Sequence, residues 1–308
     1  LDRTRRWLDG GTPAVPRDLV VLGDPRYPAL LLQTADPPLL LHVHGRAELL
    51  SAPSIAIVGS RHPTPQGLDN ARSFARHLGD HGLAVVSGLA RGIDGAAHEG
   101  ALASAAGTLA FVGSGLDQPY PPDHAELAAR IAEHGLVASE HAPGTSPRPE
   151  NFPRRNRLIA GVSRGTLVVE AALRSGSLIT ARMAVEAGRE VFAIPGSIHS
   201  PQSRGCHRLI QQGAKLVETG DDILQELRLA EPVLARPEPT PSTAGPAIPP
   251  GTDASLMAAL GHDPGTFDAL AARTGLPADR LSAQLLELEL AGCVRRLPGG
   301  LLQRVGTA

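Results

Sequence analysis

Residues 55–94 read IAIVGSRHPTPQGLDNARSFARHLGDHGLAVVSGLARGID, and their alternation decides the fold class. A short apolar run, IAIV, ends in Gly59-Ser60, and a segment with helical spacing of apolar residues follows from about Leu68 to Asp80. A second apolar run within GLAVVSG ends in Ser87-Gly88, and a helical pattern then runs through Ile93 to Ala105. The unit repeats downstream. GTLAFVGSG leads to a helix from Asp123 to Glu133, and LVASE and GTLVVEA read as further strands. A helix through Thr180 to Ala187, the strand REVFAIPG and a helix from His207 to Gln212 complete the series. Short β-rich runs alternating with helices predict an α/β fold, a mostly parallel, doubly wound sheet with helices on both faces.

Outside this core the pattern changes at both ends. Residues 1–50 are short apolar pieces broken by prolines, as in YPALLLQTADPPLLLHVHG, and read as a lead-in subdomain packed on a core spanning 51–230. Residues 231–254 are dominated by Pro, Ala and small polar side chains and read as a linker. Beyond it, helix-patterned runs at SLMAAL, TFDALAARTG and LPADRLSAQLLELELAG precede two strand-like pieces, CVRRL and LLQRV. The two are joined by a Pro-Gly-Gly turn at 298–300. Three helices followed by a hairpin is the order of a winged helix, here over 255–308.

Composition removes several function classes. The chain has 308 residues and a net charge of −2, so bulk positive charge cannot coat nucleic acid and any binding must come from local clustering. Aromatics are only 3% against a hydrophobic fraction of 42%, so the core is built from Ala, Val, Leu and Ile. The longest apolar stretch is broken by Asp36, Pro37 and Pro38, well short of a bilayer span. The opening LDRTRRWLDGG lacks the apolar centre of a secretion signal and an initiator Met, as in a trimmed or processed chain. Cys206 and Cys293 have no metal-type spacing and read as free thiols of a cytoplasmic protein. No metal or cofactor is expected. Lys215 is the only lysine among 29 basic residues, a bias that a GC-rich genome produces and that also favours planar, forked contacts to phosphate.

In an open parallel sheet, ligands sit beyond the carboxyl ends of the strands, where Gly-rich turns enter helices. Such turns occur at Gly59-Ser60-Arg61, at Ser87-Gly88 with Arg91 shortly after, at Gly113-Ser114-Gly115 and at Ser175-Gly176-Ser177. One turn alone is weak evidence, because Gly and Ser are good turn residues. The four together fall on one edge of the sheet, and two bring an arginine. Between Arg148 and Arg182 there are seven arginines against two acids, Glu150 and Glu170. Inside that patch, NFPRRNR (151–157) combines a ring that can stack on a base with guanidinium groups for the backbone.

Catalysis has less support. Asp94 and His98 lie one helical turn apart, a spacing better explained by a carboxylate near a helix start and a structural histidine than by a base and its orienter. Glu170, after a strand, could serve a nucleotide hydrolase or pair with a neighbouring arginine.

The blocks IAIVGSRHPTPQG, VVSGLARGIDGAAHEGAL, FVGSGLDQPYPPDH, NFPRRNRLIAGVSRGTLVVEAALRSGSLITARMAVEAGREVFAIPG and GCHRLIQQGAKLV resemble the DNA-processing protein A (DprA/Smf) family from about residue 55 to 228. The lead-in and the C-terminal winged helix are similar to the family's flanking segments, and by this resemblance the helical N-terminal domain of many members is expected to be mostly absent from this sequence. The resemblance implies an extended Rossmann-like fold that forms homodimers, binds single-stranded DNA in a phosphate pocket and loads the RecA recombinase, in natural transformation and recombinational repair, without turning over a substrate. Duplex DNA and single-strand-binding protein are further candidate partners. Carried onto this chain, the pocket is formed by Gly59, Ser60, Arg61, Ser87, Gly88, Arg91, Gly113, Ser114, Gly115, Arg154, Asn156, Arg157, Ser175, Gly176 and Ser177, with Phe152 stacking on a base. Arg61 and Arg157 are expected to be partly exposed, so that alanine at either weakens DNA binding and leaves the fold intact.

The alternative is a phosphoribohydrolase of the lysine-decarboxylase-like class, marked by PGGxGTxxE. The nearest candidate here, Pro195-Gly196-Ser197-Ile198-His199, lacks the second Gly and the Glu. The winged helix is a weaker candidate reader of DNA, because residues 251–308 hold five arginines and six acids.

Overall fold

The computed structural model describes residues 2–229, 252, 254–261, 264–297 and 299–305. Contacts divide the chain into two compact units, Leu1–Pro232 and Val233–Ala308. The first unit runs α1 (Asp2–Asp9), β1 (Arg17–Val21), α2 (Ala29–Leu32), β2 (Leu40–Gly45), β3 (Ser54–Val58), α3 (Pro65–Asp80), β4 (Ala84–Ser87), α4 (Ile93–Leu102) and β5 (Thr108–Phe111). It continues with α5 (Ala125–His134), β6 (Leu136–Ser139), α6 (Asn151–Val162), β7 (Gly165–Val168), α7 (Ser177–Glu186), β8 (Glu190–Ala193), α8 (Arg204–Gln211), β9 (Lys215–Leu216) and α9 (Gly220–Glu226). The second unit holds α10 (Ala254–Ala259), α11 (Phe267–Thr274), α12 (Ala278–Leu290), β10 (Val294–Arg296) and β11 (Leu302–Arg304).

Nine strands form one sheet in the order β1-β2-β6-β5-β4-β3-β7-β8-β9. From β6 to β9 every neighbouring pair is parallel; β2 lies antiparallel on β6, and β1 on β2. The mostly parallel, doubly wound sheet expected from the sequence is therefore present. Alternate residues of β3 feed opposite faces. Ile55 and Ile57 pack with Phe74 and Leu78 of α3, and Ala56 and Val58 with Ile159 and Val162 of α6.

The lead-in differs from its expected form. Residues 17–45 add two strands to the sheet instead of standing as a subdomain, because β2 hydrogen-bonds along β6 and buries Leu41 and Val43. An apolar edge strand is thereby covered. The helix expected from Leu68 begins at Pro65, since Thr64 caps it by accepting a hydrogen bond from the Gly67 amide at 3.0 Å. NFPRRNR, to which the sequence pattern assigns no element, opens α6; its proline sits in the first turn, where no intrahelical N–H is lost.

In the second unit, three helices and an antiparallel hairpin enclose Leu256, Leu270, Leu281, Leu285, Leu288 and Val294, the arrangement expected of a winged helix. The proposed linker, 231–254, lies almost wholly outside the described residues. Both cysteines are buried thiols, and neither forms a disulfide. No helix among the described residues is long and apolar enough to cross a membrane.

Candidate nucleic-acid interface

Chain order along the sheet reverses at β3, whose neighbours are β4 on one side and β7 on the other. Loops leaving β3 and β7 diverge at such a switch point and open a crevice. A cavity of about 700 Å³ occupies it, lined by Gly59, Ser60, Arg61 and His62 after β3, by Arg174, Ser175, Gly176 and Ser177 after β7, and by Phe152, Arg155 and Asn156 of α6. The ten-residue helix α7 starts at Ser177 and turns the positive end of its dipole toward this space. The hydroxyls of Ser175 and Ser177 are 2.7 Å apart, a pair able to grip one oxyanion. At the mouth, the Arg61 guanidinium carbon stands 5.8 Å from the centre of the Phe152 ring, and Tyr120 packs on the same ring at 5.4 Å. Arg61 and Arg174 are exposed, so cationic charge reaches solvent where a polyanion would approach.

Eight of the expected site residues thus meet in one place: Gly59, Ser60, Arg61, Phe152, Asn156, Ser175, Gly176 and Ser177. The others do not line it, and Arg155 explains most of the difference. Helical spacing points residues 152, 155, 156 and 159 of α6 inward. The buried Arg155 guanidinium donates through Nη1 to the carbonyls of Gly88 and Phe111, both at 2.5 Å. Burial lowers its pKa to about 10, with the nearby Asp94 charge acting the other way. A Cβ on Gly88 would stand 2.4 Å from Nη1, so only glycine admits the arginine. The turns after β4 and β5 are sealed in consequence. Ser87 and Ser114 are fully buried and donate to the Ile57 and Gln118 carbonyls. Gly113 packs under Phe152, and Gly115 is buried. Arg91 forms an exposed two-pronged pair with Asp123, at 2.7 and 2.9 Å.

Arg154 is exposed but lies off the cavity. Arg157 faces away from it and donates to Glu140 at 2.5 Å, with Asp36 at 3.3 Å. Its side chain is 20% exposed, partly exposed as expected, but it is engaged by two carboxylates and does not open onto the cavity. The sequence reading missed Arg155, Arg174 and Tyr120 as site residues. All three stand in quoted blocks, but the signal that selects them is the face of α6 and the sheet order.

Asp94 and His98 are structural. Asp94 Oδ2 accepts from the Gly88 and Ala90 amides at 3.1 and 3.4 Å, bracing the loop before α4. Burial raises its pKa against the attraction of Arg155. His98 is fully buried with Nδ1 2.7 Å from the Thr108 hydroxyl, and burial pushes its pKa down to about 3. Glu170 pairs with no arginine among the described residues. Its carboxylate accepts from the Thr64 amide at 2.9 Å and hydroxyl at 2.6 Å, anchoring the start of α3. Burial raises its pKa, opposed by those two bonds.

The sheet order, the crevice at its switch point and the C-terminal helical unit with its hairpin define a Rossmann-like α/β protein with an appended winged helix. A family model described as DNA recombination-mediator protein A matches residues 18–228, and a DprA winged helix domain model matches 237–300. The chain belongs to this family of DNA-processing proteins, known as DprA or Smf. Protein Smf of Escherichia coli is 45% identical over 279 residues, covering 89% of this chain and 74% of that protein. The crystal structure of DprA from Streptococcus pneumoniae superposes with a TM-score of 0.66 at 47% identity, over 68% of this chain and 74% of that one. A structure of Helicobacter pylori DprA, described for its single-stranded-DNA binding mode, gives a TM-score of 0.62 at 30% identity, over 69% and 95%.

Proposed function

We propose that this chain binds single-stranded DNA in the switch-point crevice and passes it to a recombinase of the RecA kind. One observation carries the reading: an exposed arginine poised over an aromatic ring opens onto a pocket of paired hydroxyls, a helix N-terminus and further arginines. Hydroxyls, amides and guanidinium forks suit phosphate oxygens, while the ring at the mouth suits an unstacked base. A duplex keeps its bases stacked inside and offers none to Phe152. The single-stranded-DNA binding described for the Helicobacter pylori relative supports the same reading. A homodimer would hold two such pockets on one strand and gain avidity without new contacts. Sequence-tolerant binding leaves the bases available for handover.

The test is an anisotropy titration with labelled single-stranded and duplex oligonucleotides at several salt concentrations. The reading requires preference for the single strand and an affinity that falls steeply as salt rises. Equal affinity for duplex, or no binding at low salt, overturns it. Handover is tested by the rate of RecA filament growth on strands coated with single-strand-binding protein, which the chain should raise.

A further inference from the structure

At the far end of α3 from the crevice, His77, His81 and Asp221 form a cluster that phosphate binding does not use. Each offers one ligand atom, and the three atoms lie within 4.8 Å of one another; among the described residues no other group of three His, Cys or acidic side chains meets that condition. We infer that this cluster is a binding site for a divalent transition metal, of which Zn²⁺ is the natural test ion, joining α3 to α9.

The tautomer of His81 carries the argument. Its Nδ1 lies 2.8 Å from the His77 carbonyl, an acceptor only, so Nδ1 holds the proton and donates. In the neutral ring that leaves the Nε2 lone pair turned outward, the arrangement by which a backbone carbonyl orients a metal-binding histidine. His77 Nε2 stands 2.9 Å from Asp221 Oδ1. Two ligands about 2.1 Å from one tetrahedral ion stand roughly 3.4 Å apart, so an ion can replace the proton of this pair with little movement. The proton on His77 Nε2 passes through solvent to Nδ1 of the same ring, which stays neutral. His81 is exposed and stands just past the last residue of α3, where its ring can turn to bring Nε2 to the ion and complete the set.

The surroundings hold the pair in place. A Cβ on Gly220 would fall 2.3 Å from the His77 ring, so the glycine permits this close approach of α3 to the start of α9. The cap of α9 is supplied by other residues: Thr219 accepts from the Asp222 amide, and Asp222 accepts from the Glu218 and Thr219 amides. Asp221 is therefore free of capping duty. The site also sits at the negative end of the sixteen-residue α3, where a cation is favoured. Two imidazoles and one carboxylate suit Zn²⁺, Cu²⁺ or Ni²⁺ in preference to Mg²⁺ or Ca²⁺. Three protein ligands leave a fourth position for water.

The experiment is calorimetric titration of the tag-free chain with ZnCl₂, paired with thermal unfolding with and without the metal. One equivalent binds, and at a hundredfold excess over the dissociation constant Tm rises by roughly 5–10 °C, reversed by EDTA. His81→Ala weakens binding by more than about tenfold, and Asp221→Asn does the same, with metal-free Tm unchanged in both. Co²⁺ in place of Zn²⁺ gives the visible absorption of a tetrahedral site in the native chain and not in His81→Ala. Absence of one-equivalent binding, or binding that survives in the His77→Ala/His81→Ala double variant, overturns the site. Affinity for single-stranded DNA is unchanged in these variants, so the outcome is independent of the crevice.

Discussion

The carboxyl edge of the sheet has two halves that look alike in sequence and differ in the fold. Each presents Gly-Ser turns after its strands, two of them followed closely by an arginine. After β3 and β7 the turns diverge and leave an open, cation-lined space. After β4 and β5 they are closed by Arg155, whose guanidinium takes the carbonyls of Gly88 and Phe111. A Gly-Ser turn at a strand end therefore marks room for backbone to approach something, and topology decides whether that something is a ligand or the protein's own side chain.

The strongest way to break this contrast is to remove the seal. Arg155→Ala leaves the Gly88 and Phe111 carbonyls without their buried donor and Asp94 without its nearby cation. Stability should fall by about 3–5 kcal/mol, as for other buried charges stripped of a partner, read by denaturant unfolding. Arg155→Lys should recover only part of this, because an ammonium lacks the planar fork. A nearly unchanged midpoint would mean that the sealed half does not depend on this arginine.

Acid sharpens the contrast, since the sealed half buries its titratable groups. His98 is neutral when folded, with a pKa near 3 against 6.5 for the free side chain. Between those values the unfolded chain binds the extra proton, so stability is lost as pH falls, not as it rises. The loss from this one group should be about 1 kcal/mol between pH 6 and pH 5. His98→Gln should flatten that part of the stability profile. An unaltered slope in the variant would place the acid sensitivity in another group.

The open half is probed by function. Arg61 is exposed and touches the rest of the molecule through the face of Phe152. Arg61→Ala should weaken single-strand affinity about tenfold and lower the salt slope by close to one counterion, with Tm unchanged. Native affinity in the folded variant would remove the crevice as the site.

Much of this was legible in the sequence. Strand runs such as IAIV and LAVV, with their Gly-Ser ends, located the core strands to within a residue or two, because burial on both faces leaves no alternative composition. The pairing of β2 with β6 was not legible, since its partner is more than 90 residues away and hydrogen bonding across a sheet leaves no local pattern. The same limit explains Arg155 and Arg157. They are two positions apart in one basic run, and only the helical phase of α6 sends one to the floor of the crevice and the other to Glu140. Tyr120 stacks on Phe152 from a loop 32 residues earlier, a contact set by the crossing of α6 over the strand ends.

Arg91 gives the smallest expected effect and the finest test. The sequence places it beside Arg61 as a phosphate ligand, both following a Gly-Ser turn. In the fold its Nε and one Nη engage both oxygens of Asp123, and that pairing raises its pKa. To hold a phosphate it would have to give up a matched carboxylate for an equivalent anion, an exchange that returns little. Exposed pairs of this kind also contribute little to stability. Arg91→Ala should therefore change single-strand affinity by less than about twofold and leave Tm in place. Asp123→Ala separates two explanations of that silence. If the pair holds Arg91 back, freeing it should tighten binding slightly; if Arg91 is simply too far from the strand, affinity should not move. A loss in Arg91→Ala as large as that in Arg61→Ala would extend the DNA path from the open half onto the sealed one.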